Sequence, residues 1–172
     1  MKQLGVAVVF AVAGAGLTTG CLAAPRASAQ LKGTQPESKI SGTATVSPAA
    51  DGVKITIRVA HVPPGAHGIH IHEKGNCGDT GKAAGGHFNP QSAPHGFLPK
   101  DGAAHAHAGD MGNIQVGADG TGALALTLPG LTVDGVVGRA IILHEKVDDF
   151  SQPTGNAGGR IGCGVIVAKE IR

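Results

Sequence analysis

The sequence predicts an all-β protein, an antiparallel sandwich or barrel of about eight short strands. Three observations carry that prediction. Apolar and polar residues alternate in short runs, 29 glycines and 10 prolines punctuate those runs, and no stretch holds a long helical period. Aromatics are nearly absent (four Phe, no Trp, no Tyr), so Val, Ile, Leu and Ala must fill the core. The 172 residues suffice for one domain with a real core and not comfortably for two.

Residues 1–29 read as an address ahead of the fold. Lys2 supplies a positive start, and Leu4–Leu17 is an apolar run too short for a membrane span but right for a signal-peptide core. Two exits follow it. The favoured one is cleavage after Ala29, at the "ASA" of Ala27–Ala29, which gives a leader over 1–29 and a domain over 30–172. The other is "LTTGC" (Leu17–Cys21), which resembles a bacterial lipoprotein box with Thr18 in the usual leucine place and would leave Cys21 lipidated. Either exit places the mature chain in the periplasm or outside the cell, free or anchored through Cys21.

The strands follow in order. Lys39–Ser47 is a weak one, and Pro48–Gly52 ("PAADG") turns the chain back. Val53–Val59 ("VKITIRV") is the cleanest, with Val53, Ile55, Ile57 and Val59 on one face and Lys54, Thr56 and Arg58 on the other. Gly68–Glu73 follows a Pro-Pro-Gly break. From about Lys74 to Asn113 there is no period, only Gly, Pro and His, and so long a stretch is either functional or disordered. "NIQV", an "ADG" turn and "TGALALTL" form a hairpin. Gly138–Glu145 is a mostly apolar strand, Lys146–Gly159 a second loop, and "RIGCGVIVAKEI" (Arg160–Ile171) closes the chain. No helix and no internal repeat is expected.

Charge and cysteines narrow the function. A net charge of +2 with no basic run argues against nucleic acid. With Cys21 set aside, only Cys77 and Cys163 remain, an even pair in an oxidising compartment, and a disulfide between them is expected over two buried thiols.

The histidines carry the chemistry. Of nine, only His144 lies outside residues 61–107. In "HGIHIHEKGNC" the strand positions His70 and His72 point the same way and can converge on one ion. The long loop adds His87, His95, His105, His107 and Asp110, and His144 ends a strand. A single histidine is more often a surface or hydrogen-bonded residue, but this many on one loop and its flanking strands point to metal. Imidazole suits copper and zinc, and a carboxylate among imidazoles suits zinc.

The motifs "HGIHIHEKGNC", "GGHFNPQSAPHG", "HAGDMGN", "HEKVDD" and "TGNAGGRIGCGVI" resemble, in order, the signatures of the copper/zinc superoxide dismutase family. That resemblance implies an eight-stranded Greek-key β-barrel with a long metal-binding loop. It implies an enzyme with copper and zinc cofactors that converts superoxide to dioxygen and hydrogen peroxide as copper cycles between Cu(II) and Cu(I). By the same resemblance His70, His72, His87 and His144 would hold copper, and His87, His95, His107 and Asp110 would hold a structural zinc. His87 would bridge the metals and donate a proton, Arg160 would attract the substrate anion, Asp148 would orient ligands from outside both sites, and Cys77–Cys163 would be the family disulfide.

Some features depart from the pattern. Ile69 stands where the family usually has an aromatic residue, and the Lys146–Gly159 loop is shorter than in eukaryotic relatives, with Pro153 near the place of their lysine. His105 competes with His107 for zinc, and the His-Ala-Gly-Asp register favours His107. His67 is expected to hydrogen-bond and His61 to be exposed. The charged tail leaves a homodimer open. Two other classes stand beside the dismutase: a copper buffer, which would need no Arg160, and a zinc hydrolase, which would need an open zinc with bound water.

Overall fold

The computed structural model describes residues 26–169. The apolar run Leu4–Leu17 and the candidate anchor Cys21 lie outside the described residues. Nine strands form: β1 (Arg26–Gly33), β2 (Ser41–Ala49), β3 (Gly52–Ala60), β4 (Gly65–His72), β5 (Asp110–Val116), β6 (Gly122–Pro129), β7 (Ala140–His144), β8 (Arg160–Val165) and β9 (Val167–Lys169). All described pairings are antiparallel, in the order β2-β3-β6-β5-β4-β7-β8-β1-β9, and β1 also pairs with β2, which closes the ring. β8 and β9 are one strand interrupted at Ile166, whose N–H donates to the Arg139 carbonyl (2.8 Å) instead of the ladder. The barrel is therefore eight-stranded. β3 neighbours β6 rather than β4, and the spatial run β3-β6-β5-β4 is a Greek key.

The alternation in β3 does what its sequence requires: Val53, Ile55, Ile57 and Val59 are buried in the barrel with Leu31, Ile114, Leu128, Ile141 and Leu143. β4 and β7 are different, because both of their faces are buried. Ile69, Ile71, Ile141 and Leu143 enter the barrel core. The intervening side chains look outward under the loops, where Ala140 and Ile142 pack with Ala84, Cys77 and Cys163. Thus the odd rhythm of Gly68–Glu73 is a strand covered on its outer face by the long loop.

That loop is ordered by its own backbone bonds to β4. The Phe88 N–H donates to the Ile71 carbonyl (2.8 Å), the Ile71 N–H to Gly109 (2.9 Å) and the Gly109 N–H to Phe88 (2.9 Å). Only glycine fits at 109, since a Cβ there would run into the Ile71 carbonyl. The second loop folds back on β4 as well, its Lys146 carbonyl accepting the Gly68 N–H (2.8 Å). A disulfide joins Cys77, at the head of the long loop, to Cys163 on β8, with Cα atoms 5.7 Å apart.

One expectation needs correction. Helical turns do occur, a 3-10 segment at Asp79–Ala84 and single α-turns at Leu98–Asp101 and Val133–Val136. They are too short to show an amphipathic period in sequence. β1 starts at Arg26, and Ala27 and Ala29, read above as a cleavage motif, are buried strand residues.

Candidate metal centre

Two groups of donor side chains meet on the outer face of β4. The first is His70 and His72 from β4, His87 from the long loop and His144 from the end of β7, with one ligand atom from each lying within 4.8 Å of the others. The ring nitrogens turned away from the centre are committed. His70 Nε2–H donates to Asp148 Oδ2 (2.8 Å), His72 Nδ1–H to the Gly85 carbonyl (2.9 Å) and His144 Nδ1–H, more loosely, to the Gly158 carbonyl (3.4 Å). A neutral imidazole that donates from one nitrogen offers a lone pair on the other. Those others, His70 Nδ1, His72 Nε2 and His144 Nε2, are buried and have no hydrogen-bond partner. An unsatisfied buried polar atom costs about 1–3 kcal/mol. Three of them converging make sense as donors to a cation.

The second group is His87, His95, His107 and Asp110. His87 Nδ1 lies 2.9 Å from Asp110 Oδ1 and 3.3 Å from His107 Nδ1, and His107 Nδ1 lies 3.2 Å from the same oxygen. His95 Nδ1 is 2.8 Å from Asp110 Oδ2 yet is not aligned for a hydrogen bond. A tetrahedral zinc with N and O ligands at about 2.0–2.1 Å sets its ligand atoms about 3.3 Å apart. Nitrogens facing one another at that spacing suit a shared ion better than a proton network. His87 belongs to both groups, and with Nδ1 in the second it has only Nε2 to give to the first.

Electrostatics agree with this division. Burial pushes His72 down to about 2, His144 to about 3 and His87 to about 4, so all three stay neutral and keep their lone pairs. Burial also opposes charge on His95, but the Asp110 carboxylate at its Nδ1 and the hydrogen bond to Asp148 outweigh it and raise that ring to about 9. Burial would raise Asp110 too, yet hydrogen bonds from His107 and His87, with the His95 ring beside it, hold it well below the carboxylate range. The second group thus demands positive charge, which a divalent cation supplies.

The sequence model of copper/zinc superoxide dismutase matches residues 40–166. The chain belongs to the copper/zinc superoxide dismutase family. It is 41% identical over 145 residues to a copper-zinc superoxide dismutase of Deinococcus radiodurans, covering 76% of this chain and 79% of that one. It is 42% identical over 124 residues to an extracellular copper-zinc superoxide dismutase of Haemonchus contortus, covering 66% of each. Among solved structures, the clock protein EA4 superposes with a TM-score of 0.74 at 36% identity, over 88% of this chain and 99% of that one. The cofactors are copper, for the all-imidazole group, and zinc, for the group with the carboxylate.

Asp148 stands between the two groups of this dismutase, clustered with His70 and His95. Its carboxylate accepts from His70 Nε2 and His95 Nε2 (2.8 and 2.9 Å), one ring from each group, and from the Phe150 N–H (2.8 Å). Gly155 leaves room for that carboxylate, because a Cβ there would strike it, and its φ of +74° suits glycine. Asp148→Asn keeps the shape but can accept at only one atom, so one ring loses its orientation. The expected result is a 10- to 100-fold loss of copper or zinc affinity in chelator competition. Unchanged affinity for both metals would mean that Asp148 does not orient the rings.

Sequence reasoning missed two supports. Asn113 exchanges hydrogen bonds with the Asp148 backbone (2.9 and 2.7 Å), and it sits inside the "HAGDMGN" motif, which could have flagged it. Gln152 does the same to the His95 backbone (2.8 and 2.9 Å), from the shortened loop where no motif marks it. Of the remaining histidines, His67 is buried with its ring against the His144 and Pro63 carbonyls (2.9 and 2.8 Å). His105 and His61 are exposed and outside both groups.

Arg160 opens β8 beside the copper group. Its guanidinium donates to the Gly81 and Gly85 carbonyls (2.7 and 2.6 Å), the latter shared with His72. A cavity of about 360 Å³ is lined by His72, His87, His144, Thr154, Asn156 and Arg160.

Proposed function

We propose that superoxide is dismutated on the floor of this cavity, where Arg160 stands beside the free nitrogens of His72 and His144. What supports the reading is that open donor positions and a fixed cation share one small chamber. Copper, when bound, supplies the one-electron chemistry by passing between its cupric and cuprous states, while zinc, which has no redox chemistry, fixes geometry. Overall, two superoxide anions and two protons give dioxygen and hydrogen peroxide. Arg160 docks the anion, held to its place by the Gly81 and Gly85 carbonyls. His87 Nε2 would serve copper and, in the half of the cycle in which it does not, would hold the proton that passes to the second superoxide. His70, His72 and His144 present lone pairs from fixed rings, and burial limits water.

The reading is tested by superoxide decay in stopped flow, comparing the protein loaded with one copper and one zinc against the metal-free form, with free copper controlled. Fast catalytic decay in the loaded form is expected. If both metals bind and decay is no faster, the chain is a copper buffer.

Arg160→Gln keeps one hydrogen-bond donor and removes the charge. Field focusing contributes 10- to 1,000-fold to such encounters, so a loss of roughly tenfold or more in the second-order rate constant is expected, with copper content unchanged. The rate should also respond less to salt. An unaltered rate and salt slope would remove Arg160 from the docking role.

The setting we propose is extracytoplasmic. A disulfide between Cys77 and Cys163 suits an oxidising compartment, and the apolar run Leu4–Leu17 suits export.

A further inference from the structure

We propose that export processing cuts the precursor on the N-terminal side of Arg26, so that all of β1 stays on the mature enzyme and the "ASA" of Ala27–Ala29 is not a cleavage site. The inference rests on the export reading above and on what residues 26–29 do in the barrel. Ala27 and Ala29 are each 1% exposed. They face Val46 and Ala44 of β2, themselves 1% exposed, across the register Ala27↔Val46, Ser28↔Thr45 and Ala29↔Ala44. On its other side β1 holds β9 through Arg26↔Lys169, Ala27↔Ala168 and Ser28↔Val167, the only pairings β9 has among the described residues.

A cut after Ala29 would therefore remove half of β1, strip the described part of β9 of its ladder and uncover Val46 and Ala44. It would also open a gap between β2 and β9 at that end of the barrel, while residues 30–33 still bridge β2 and β8, leaving the kind of unpaired edges that invite aggregation. Small residues explain the ambiguity. A signal peptidase reads Ala-x-Ala by size, and a barrel interior crowded at the β1–β2 seam selects alanine by size too. The two demands write the same letters, and only burial tells them apart. After an upstream cut the mature chain can begin at Cys21 of the "LTTGC" box and carry a lipid, or begin between Cys21 and Arg26 and carry none.

The test is to express the full precursor in a bacterium that exports it, purify the mature enzyme from soluble and membrane fractions, and read its N-terminus by sequencing and intact mass. An N-terminus anywhere from Cys21 to Arg26 supports the proposal, and an added diacylglyceryl mass on Cys21 identifies the lipidated form. An exported enzyme that begins at Gln30 overturns it while leaving export standing. An uncut precursor confined to the cytosol overturns both. Thermal melts give a second reading, comparing the exported enzyme with a chain beginning at Gln30, both loaded with copper and zinc. Loss of the buried half-strand should lower Tm by roughly 10 °C or more. Equal melting temperatures would show that residues 26–29 hold nothing together, and the proposal would fail.

Discussion

His144→Ala is expected to bring superoxide decay down to the level of the metal-free protein, a loss well beyond the 10- to 100-fold that follows from losing a residue that merely orients a ligand. The side chain ends β7 and offers Nε2, one of three buried ring nitrogens without a partner in the copper group. No other histidine of the group can stand in for it, since His70, His72 and His87 each have one ring nitrogen committed elsewhere and the other already in the copper group. The backbone should survive the change. Leu143 remains in the barrel core, and the His144 carbonyl still accepts from His67 (2.9 Å). Zinc binding should survive too, because His144 takes no part in the second group. The measurement is metal content after equilibrium dialysis, followed by stopped flow on the same sample. Normal zinc, weakened copper and absent catalysis are expected. Full catalysis at one copper per chain would place the open donor elsewhere and sink the division of roles among the histidines.

Much of this centre was legible in the sequence because metal ligands are few in type and fixed in spacing. His70 and His72 share a strand face by the two-residue period alone, and the His-Ala-Gly-Asp register selects His107, which is buried, over His105, which is exposed. The strands that alternate Val and Ile with charged residues were equally plain. What was hidden has physical reasons. β1 alternates as faithfully as β3, but with Ala27 and Ala29 as two of its buried residues, and alanine is too weakly apolar to announce a core face. The helical turns are single turns, shorter than the period that would reveal them. Gln152 and the carbonyls of Gly81, Gly85 and Gly158 act through long-range contacts or through the backbone. The sequence records neither.

The second large effect concerns stability. Replacing both Cys77 and Cys163 by alanine opens a covalent loop whose ends are 86 residues apart. Closing a loop of that size removes denatured-state entropy worth about 4–5 kcal/mol in the chain-entropy description. For a chain of this size that corresponds to a Tm lower by roughly 10–20 °C. The double replacement is preferred to serine because Cys163 is buried among Ala84, Ala140 and Ile142, where a hydroxyl would find no partner. The consequence should reach catalysis. Cys77 heads the segment whose Gly81 and Gly85 carbonyls hold the Arg160 guanidinium, and Gly85 also fixes the His72 ring. With that segment untethered, Arg160 keeps its charge but loses its fixed aim. Superoxide decay should slow severalfold in protein that still carries one copper and one zinc. Calorimetry on wild type and double variant, each with and without metal, checks the first expectation, and stopped flow on the loaded forms checks the second. A Tm within about 3 °C of wild type would show that the bridge contributes little to stability. A large Tm loss at an unchanged rate would separate the two roles, leaving the long loop and its metals to aim Arg160 without covalent help.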